Sequence, residues 1–427
     1  MQVNGIIAEY NPFHNGHLYQ LKRSLEETGA DYTVVAMSGN FVQRGSAALL
    51  DKHTRAEMAL LGGADLVLEL PALYAASSAE FFASGAIRLL DQLGVVDTVS
   101  FGSELGDTAL LKKAAEILVQ EPADFSSSLK HYLKEGMSYP NARTEAIIQH
   151  YPEFNGQDSI FSSPNNILGI EYIKALLRQN SSIRPVTIKR LGNGYHDRSA
   201  CAPFCSALAI RQALFSGASP EFLAGQMPEE AAGLLGSWLD THAPMQNEML
   251  SLPLYYKLLS ESSRGFSAYL DVSPALSERI LNHLGEYRGF EDFCSLLKTK
   301  EMTYTRISRC LLHILLNIKK EEMPSSGTPF VPYARVLGFR KSAAPLLTAI
   351  SKNSSIPLIT KLADAKERLE EDALIMLQKD IQISQFYQGI CALENRLPIR
   401  NEYSIPLVIL SSGTQTHSHN GKKDYPQ

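Results

Sequence analysis

The feature that most constrains the fold is an alternation of short apolar runs with amphipathic stretches along roughly the first two hundred residues. The apolar runs predict strands at Val3 to Ala8, Tyr32 to Met37, Asp65 to Leu70, Asp97 to Phe101 and Arg184 to Lys189. The stretches between them predict helices at His17 to Glu27, Arg55 to Leu61, Ala79 to Leu93, Ala109 to Gln120 and Ile167 to Arg178. Apolar strands that alternate with helices are typical of a parallel sheet covered on both faces. Ligands of such sheets bind at the carboxyl ends of the strands.

The pattern changes near Phe215, after which the chain is mainly helical. Helical patterns cover 219–262, 273–320 and 340–395, and they are interrupted at Gly236, at Pro253 and in the 324–327 linker. We therefore expect a parallel-sheet domain over 1–215 and a mainly helical domain over 216–410. The remaining 411–427 is a polar tail that we expect to be disordered.

Composition limits the classes of function. The formal net charge is −5, so the chain is not a general polyanion binder, and any contact with nucleic acid needs a local basic face. Its 5 cysteines include no CxxC pair, which suits a reducing compartment and predicts no zinc framework. The chain opens directly into a strand, and no segment approaches the ~18 apolar residues of a membrane span. We expect a cytoplasmic protein.

The junction between the first strand and the first helix carries the strongest chemical signal. The strand ends at Ala8, the chain breaks at Asn11-Pro12, and the helix begins near Gly16. Unpaired N–H groups at such a junction form a phosphate site, and a glycine there lets a nucleotide approach the backbone closely. His14 and His17 are three residues apart, so they share one side of the helix start and can donate hydrogen bonds to phosphate.

HxxH alone is also consistent with two ordinary histidines near a helix cap. A zinc site is less consistent with it, because there is no HExxH and no evident third ligand. We therefore predict no metal site. A second element lies further along the chain, where Ser206 can cap a helix that carries Arg211 one turn later.

Together, His14-Asn15-Gly16-His17 and the segment from Cys205 to Arg211 resemble the HxGH and Ser-Ser-Thr-x-Ile-Arg signatures of the nucleotidyltransferase superfamily. Ala207 and Leu208 stand where the second signature usually carries hydroxyls. The resemblance implies a Rossmann-like fold of the HUP type. It also implies that the two histidines contact ATP phosphates while AMP is transferred and pyrophosphate is released.

The chain resembles the bacterial tRNA(Met) cytidine acetate ligases more closely, over nearly its whole length except the tail. The matching blocks are 5–18, 37–45, 51–59, 101–104, 163–169, 194–197, 304–309 and 332–339. The resemblance implies a ligase that converts ATP to AMP and pyrophosphate. Acetate attacks the α-phosphate to form acetyl-adenylate, and the acetyl group then passes to N4 of the wobble cytidine of elongator tRNA(Met), forming N4-acetylcytidine.

The resemblance also implies an ATP site. Its residues are Ile7, Ala8, Glu9, Tyr10, Asn11, Pro12, Phe13, His14, Asn15, Gly16, His17, Leu18, Tyr19, Gln20, Gly102, Asn165 (with Asn166 as its neighbour), Arg190 and Leu191. Mg²⁺ commonly accompanies ATP. Ser206 and Arg211 are candidates for further phosphate contacts.

An acetate site needs one or two hydrogen-bond donors for the carboxylate and a small apolar pocket for the methyl group. The donors, or contacts to pyrophosphate, could come from Gln43, Arg44, Lys52 and Arg55. Several of these residues have structural alternatives. Arg55 can pair with Asp51 on one helix face, Glu9 can pair with a lysine, and Asn165 can simply cap a loop. His196-Asp197 suggests an oriented imidazole, although adjacent residues rarely face each other.

Contact with tRNA would use a local basic cluster in the second half, formed by Lys298, Lys300, Arg306, Arg309, Lys319 and Lys320. Arg306 and Arg309 are three apart on a predicted helix and can face one phosphate strand. Alternatively, this basic cluster is simply a solvent-exposed helix face with no binding role.

Two other functions remain open from sequence. One is a small-molecule adenylyltransferase or pantoate-type ligase that needs no RNA, and the other is a noncatalytic RNA-binding or assembly protein with a vestigial nucleotide fold.

Overall fold

A computed structural model describes residues 1–157, 159–191, 205–218, 220–324 and 327–411. Its strands are β1 (Val3–Ala8), β2 (Tyr32–Ser38), β3 (Phe41–Val42), β4 (Ser46–Ala47), β5 (Leu66–Leu70), β6 (Thr98–Ser103), β7 (Arg184–Lys189), β8 (Ala334–Arg340), β9 (Leu358–Ile359) and β10 (Val408–Leu410). The predicted His196-Asp197 pair, Cys201 and residues 412–427 of the predicted tail lie outside the described residues.

The helices of the first half are α1 (Asn15–Thr28), α2 (Lys52–Leu61), α3 (Ala72–Ala75), α4 (Ala79–Gln92), α5 (Thr108–Gln120), α6 (Ala123–Lys134), α7 (Tyr139–His150), α8 (Ser159–Ser162), α9 (Pro164–Arg178) and α10 (Ala207–Phe215). Those of the second half are α11 (Pro220–Gln226), α12 (Glu229–Leu239), α13 (Ser251–Glu261), α14 (Pro274–His283), α15 (Phe290–Leu297), α16 (Tyr304–Leu315), α17 (Ala344–Asn353), α18 (Ala365–Arg368) and α19 (Glu371–Glu394). None of the described helices is both long enough and apolar enough to cross a membrane.

The predicted parallel sheet is confirmed. The central strand β1 pairs in parallel with β2 and β6, which pair in parallel with β5 and β7 in turn. One face packs against α4, α5 and α9, and the other packs against α1, α2 and α10 to α12. Because both faces are covered, both sides of the strands are apolar, which is why the sequence shows unbroken apolar runs. The carboxyl ends of these strands meet at one edge of the sheet.

The predicted boundary at residue 215 does not separate the sheet from the rest of the chain. Strand β8 pairs antiparallel with β5, and β9 and β10 pair with β8, so the second half completes the sheet of the first. The prediction of mostly helix over 340–395 likewise misses β9. Short edge strands have no periodicity that distinguishes them from helix or loop, and tertiary pairing decides them. Helices α6 and α7 were also not predicted.

Helix α16 packs beside the small antiparallel β3–β4 hairpin, α13 and α15 pack against α16, and α14 packs against α15. The Ser308 hydroxyl on α16 donates a hydrogen bond of 2.7 Å to the Gly45 carbonyl at the tip of the hairpin. Asn247, just before α13, accepts a hydrogen bond of 3.2 Å from the Ala47 backbone N–H. The hairpin therefore joins the helical half to the carboxyl edge of the sheet.

Candidate active site

A cleft opens at the carboxyl edge of the sheet, where the ends of β1, β6 and β7 meet the first turns of α1, α9 and α10. Its lining residues are Ile7, Ala8, Glu9, Tyr10, Asn11, His14, His17, Gln20, Gln43, Arg44, Phe82, Phe101, Gly102, Asn165, Leu168, Tyr172, Arg190, Ser206, Ala207, Leu208 and Arg211. The two predicted signature elements, almost two hundred residues apart in sequence, thus meet in one cavity.

The turn after β1 is held from two sides. The Asn11 side-chain oxygen accepts a hydrogen bond of 2.8 Å from the Leu49 backbone N–H. The Asn11 carbonyl accepts one of 2.6 Å from the guanidinium of Arg211. Arg211 therefore supports the turn directly, and the Asn11-Pro12 peptide bond within it is cis.

His14 and His17 form a stacked pair at the start of α1, with ring centroids 3.7 Å apart. The Nδ1 atom of His14 accepts a hydrogen bond of 3.0 Å from the Gly16 backbone N–H. The Nδ1 atom of His17 accepts one of 3.3 Å from the His14 backbone N–H. Because a neutral imidazole whose Nδ1 accepts must carry its proton on Nε2, each ring keeps an Nε2–H donor for a ligand.

Both rings are held neutral. Burial, together with the neighbouring Arg190 and Arg211 guanidinium groups, lowers the pKa of His14 to about 3. Burial also lowers the pKa of His17 well below its usual value, with His14 and Arg190 as weaker contributors. The pair can therefore donate hydrogen bonds at neutral pH, and positive charge in the cleft comes from arginine.

Gly16 is required by the histidine pair itself. A Cβ at this position would lie 2.8 Å from Cε1 of the His14 ring, which is too close for real atoms. The missing side chain thus makes room for the capping ring. This reason is additional to the predicted close approach of a nucleotide.

Gly102 ends β6 beside Arg190, which follows β7. A Cβ at Gly102 would lie 3.3 Å from Cγ of Arg190, so glycine lets the arginine side chain lie along the strand end. A smaller cavity adjoins the cleft here, and it is lined in part by Tyr19, Gln20, Arg190 and Leu191. The predicted Gly102, Arg190 and Leu191 therefore lie together.

Asn165 and Asn166 have different surroundings at the start of α9. Asn165 lines the cleft and donates a hydrogen bond of 2.6 Å to the Glu104 carboxylate. Asn166 is fully buried, and its side-chain oxygen accepts a hydrogen bond from the Leu105 backbone N–H. Asn165 is thus the one of the two that can meet a ligand, and Glu104 fixes its amide.

Ser206 caps α10 as predicted, because its hydroxyl accepts a hydrogen bond of 3.2 Å from the Ala209 backbone N–H. Both Ser206 and Arg211 line the cleft. The cleft therefore receives the N-terminal ends of three helices, α1, α9 and α10, and helix N-termini favour negative charge.

Comparison with known proteins agrees with this arrangement. The model of the family described as HIGH Nucleotidyl Transferase matches residues 1–398. The tRNA(Met) cytidine acetate ligase of Halothermothrix orenii is 38% identical over 419 residues, covering 96% of this chain and 99% of the relative. The same-named protein of Clostridium perfringens strain SM101 is 41% identical over 422 residues, covering 96% of this chain and 100% of the relative.

This chain belongs to the tRNA(Met) cytidine acetate ligase family.

Solved structures agree with the family assignment. The crystal structure of Thermotoga maritima TmcAL bound with alpha-thio ATP superimposes with a TM-score of 0.88 at 33% identity, covering 96% of this chain and 100% of the other. The apo form of the same protein superimposes with a TM-score of 0.89. The Rossmann-like α/β fold of the nucleotidyltransferases is therefore confirmed for this member of the family.

Within the predicted segment from Ile7 to Gln20, some residues line the cleft and others support it. Pro12, Phe13, Asn15 and Leu18 do not line the cleft or its adjoining cavity. Phe13 is fully buried beneath Gly62, where an added Cβ would lie 2.4 Å from its ring. The Asn15 amide donates a hydrogen bond of 3.2 Å to the Gly225 carbonyl.

Glu9 and Gln43 are joined at one side of the cleft. The Glu9 carboxylate accepts a hydrogen bond of 3.1 Å from the Gln43 backbone N–H, rather than pairing with a lysine. Arg44 follows Gln43 and also lines the cleft. Two of the four residues predicted to contact acetate or pyrophosphate, Gln43 and Arg44, therefore line the cleft.

Lys52 does not reach the cleft. Its ammonium is fully buried and forms ion pairs of 2.8 Å with Glu69 and 2.8 Å with Glu402. Arg335 lies in the same cluster and also pairs with both carboxylates. The expectation that Lys52 contacts phosphate or acetate fails, because the C-terminal half supplies partners that the local sequence does not reveal.

Arg55 is also fully buried outside the cleft lining. It donates hydrogen bonds of 2.7 Å to the Glu9 carbonyl and 3.1 Å to the Ser38 carbonyl. It therefore ties the ends of β1 and β2 together beneath the cleft instead of contacting a ligand. Asp51, its alternative partner, instead accepts hydrogen bonds from the His53 and Thr54 backbone N–H groups.

Sequence reasoning missed the apolar wall of the cleft, which includes Phe82, Phe101, Leu168 and Tyr172. These residues sit on strand and helix positions that have the same periodicity as the core. No sequence signal separates them from core residues.

The predicted basic cluster is only partly assembled. Arg306 is exposed near the start of α16, and Lys298 and Lys300 are exposed on the preceding loop. Arg309 is partly buried beside Gly45, and burial lowers its pKa. The remaining two have other partners: the Lys320 ammonium donates to the Ser267 and Val272 carbonyls, and Lys319 lies 3.9 Å from Glu321.

Proposed function

We propose that this chain is an ATP-dependent ligase that forms acetyl-adenylate from acetate and transfers the acetyl group to N4 of the wobble cytidine of elongator tRNA(Met). The observation that carries the proposal is the neutral His14–His17 pair, whose Nδ1 atoms are both occupied by backbone N–H groups. This arrangement leaves two Nε2–H donors in a cleft that also contains Arg190 and Arg211. ATP and tRNA are cytoplasmic substrates, so the proposed location is the cytoplasm.

In the first step, an acetate oxygen attacks the α-phosphorus of ATP. The bond from the α-phosphorus to the bridging oxygen breaks, and pyrophosphate leaves with the electron pair. The imidazole donors and Arg190 stabilise the charge that builds on the phosphates, and no proton has to move. The helix N-termini of α1 and α10 add partial positive charge at the same place.

In the second step, N4 of the cytidine attacks the carbonyl carbon of acetyl-adenylate. The bond from that carbon to the phosphate oxygen breaks, AMP leaves with the electron pair, and N4 loses one proton. Glu9 is the carboxylate in the cleft that can accept this proton, because one oxygen is anchored by Gln43 while the residue faces the cavity.

The tRNA would approach over α16 and the loop before it. Arg306, Lys298 and Lys300 are exposed there, and α16 contacts the hairpin that carries Gln43 and Arg44 into the cleft. Lysine and arginine contacts to phosphate supply affinity without reading sequence. A base must leave its stack to reach a buried reaction centre, and an anticodon loop offers such a base.

Mg²⁺ would accompany ATP as its counter-ion. Among the described residues, no group of three or more His, Cys, Asp or Glu side chains is arranged to hold a metal ion. The protein's own contribution to the phosphates therefore consists of imidazole, guanidinium and backbone donors.

Mass analysis of tRNA(Met) nucleosides after incubation with ATP and labelled acetate tests the whole proposal. Labelled N4-acetylcytidine is the expected product. ATP–pyrophosphate exchange that depends on another carboxylic acid and needs no RNA would identify a small-molecule ligase instead. If no carboxylic acid supports exchange, the protein is a noncatalytic binder.

A further inference from the structure

The cleft has one end that adjoins the smaller cavity and a second end that does not. The adjoining small cavity shares His14, Gln20, Gly102 and Arg190 with the cleft and continues to Leu191, so these residues form one end. The other end is lined by residues that do not touch that small cavity, namely Glu9, Gln43, Arg44, Phe82 and Tyr172. A nucleotide bound with its phosphates at the histidines and its nucleoside over Gly102 leaves the second end open.

We propose that this second end is an acyl pocket, in which Phe82 and Tyr172 enclose the methyl group of acetate and Arg44 and the Tyr172 hydroxyl hold its carboxylate. The inference rests on the proposed function and adds the residues that select the carboxylic acid. An oxygen held there is directed toward the α-phosphate at the histidine pair.

The Tyr172 hydroxyl supplies a hydrogen-bond donor at the second end of the cleft. Tyr172 is only 4% exposed, yet among the described residues its hydroxyl forms no hydrogen bond. Burial raises its pKa above the usual range, and the nearby Glu9 carboxylate raises it further, so the hydroxyl stays protonated. Because Tyr172 lines the cleft, a ligand oxygen there can accept a hydrogen bond from this hydroxyl.

Arg44 is the guanidinium at this end, since Arg190 and Arg211 lie beside His14. Its planar fork matches a carboxylate. The backbone on each side of it is anchored: Gln43 N–H donates to Glu9, and the Gly45 carbonyl accepts from Ser308.

The aromatic wall leaves little room beyond a methyl group. Phe82 and Tyr172 are 3% and 4% exposed, and the Tyr172 ring packs against Phe101 with centroids 5.6 Å apart. Phe101 is in turn pressed against Gly169, where a Cβ would lie 2.5 Å from its ring. Because Phe101 supports this wall, the Tyr172 ring cannot shift to make room for a longer acyl chain. We therefore expect propionate and butyrate to be poor substrates.

The test is carboxylate-dependent ATP–pyrophosphate exchange with acetate, propionate and butyrate, measured on the full chain. Phe82→Leu should raise the ratio of kcat/KM for propionate to that for acetate by about tenfold or more, the usual effect of one methylene in a pocket. Its KM for ATP should stay within about twofold of wild type. Phe81→Leu, on the same helix but outside the cleft lining, should leave the ratio unchanged.

Tyr172→Phe and Arg44→Gln complete the test. Each should raise KM for acetate by about tenfold or more, because a hydrogen bond to a charged group is lost, with KM for ATP nearly unchanged. If Phe82→Leu raises KM for ATP and leaves the carboxylate ratio unchanged, this end holds the adenine and the inference is wrong. If the wild-type chain shows no acetate-dependent exchange at all, the proposed function itself fails.

Discussion

Gly45 packs directly against the backbone of Arg309. The glycine has a φ of 76°, and a Cβ at this position would lie 2.4 Å from the Arg309 backbone nitrogen. The contact joins the hairpin that carries Gln43 and Arg44 into the cleft to α16, the helix proposed to meet tRNA. No side chain other than hydrogen fits between them, so the two sites share one rigid contact.

Gly45→Ala should therefore destabilise the protein strongly. The left-handed backbone costs about 1–2 kcal/mol for alanine, and the clash with α16 should bring the loss in unfolding free energy to ~3 kcal/mol or more. Gly29→Ala is the matched control, because its φ is 63° and an added Cβ would meet nothing within 4 Å. Urea unfolding should show a larger loss of unfolding free energy for Gly45→Ala than for Gly29→Ala. Equal losses would mean that the contact with α16 contributes nothing to stability.

Lys52→Met should affect stability rather than acetate affinity. It leaves Glu69 and Glu402 with Arg335, and with His53 beside Glu402, as their remaining basic neighbours, and breaking a buried pair costs about 3–5 kcal/mol. Arg178→Met removes a surface pair with Glu80 and should cost at most about 1 kcal/mol. Chemical denaturation gives both values. If the Lys52→Met variant is stable and has a raised KM for acetate, Lys52 contacts acetate after all and the structural interpretation is wrong.

Arg306→Ala combined with Arg309→Ala should weaken tRNA binding while ATP–pyrophosphate exchange stays largely intact. Each lost phosphate contact should reduce the dependence of log affinity on log salt by about one. Because Arg309 is partly buried, Arg306→Ala alone is the cleaner variant, and the exposed Lys352→Ala on α17 is its control. Binding is measured by titration of tRNA at several salt concentrations. Parallel loss of both activities would indicate a folding role.

His17→Ala should reduce acetate-dependent ATP–pyrophosphate exchange by about 10²–10³-fold in kcat, the usual effect of removing a donor to developing charge. The ring stacks on His14 and touches Tyr10 and Phe13, but it lines the cleft and is only partly buried, so the fold should survive. Circular dichroism and the melting temperature check this. Full activity in the variant would contradict the proposed phosphate role.

Acid should destabilise the protein through His14. Its pKa is about 3 in the folded state and near 6.5 when exposed, so the unfolded chain binds the proton more readily below 6.5. The unfolding free energy is therefore unaffected by His14 above pH 6.5 and falls between 6.5 and 3, by up to about 1.4 kcal/mol per pH unit.

His14→Gln should flatten this pH dependence, whereas replacing the exposed His131 with Gln should not change it. Urea unfolding between pH 4 and 8 measures the slope. The same neutral state predicts that exchange activity shows no apparent pKa near 6.5 from this pair. An acid limb at that pH that disappears in His14→Gln would mean that the charged imidazole is inactive and titrates normally.

The sequence predicts those parts of the site in which the interacting residues are close neighbours along the chain. His14, Gly16 and His17 follow a strand within a few residues, and the capping contacts among them are formed by neighbours in sequence. Ser206 likewise caps its own helix. Lys52 and Arg55 were misplaced because their partners, Glu402, Glu69 and the carbonyls of Glu9 and Ser38, lie between 17 and 350 residues away.

The amino-acid sequence by itself determined the five parallel strands, five of the helices between them and the candidate phosphate-binding junction, because apolar periodicity and helix capping are local properties. Tertiary structure alone decided that β8 completes the sheet, that Lys52 is neutralised in the interior, and that Phe82 and Tyr172 face a cavity. A strand edge, an ion pair and a pocket wall are each defined by what packs against them, and that partner comes from a distant part of the chain.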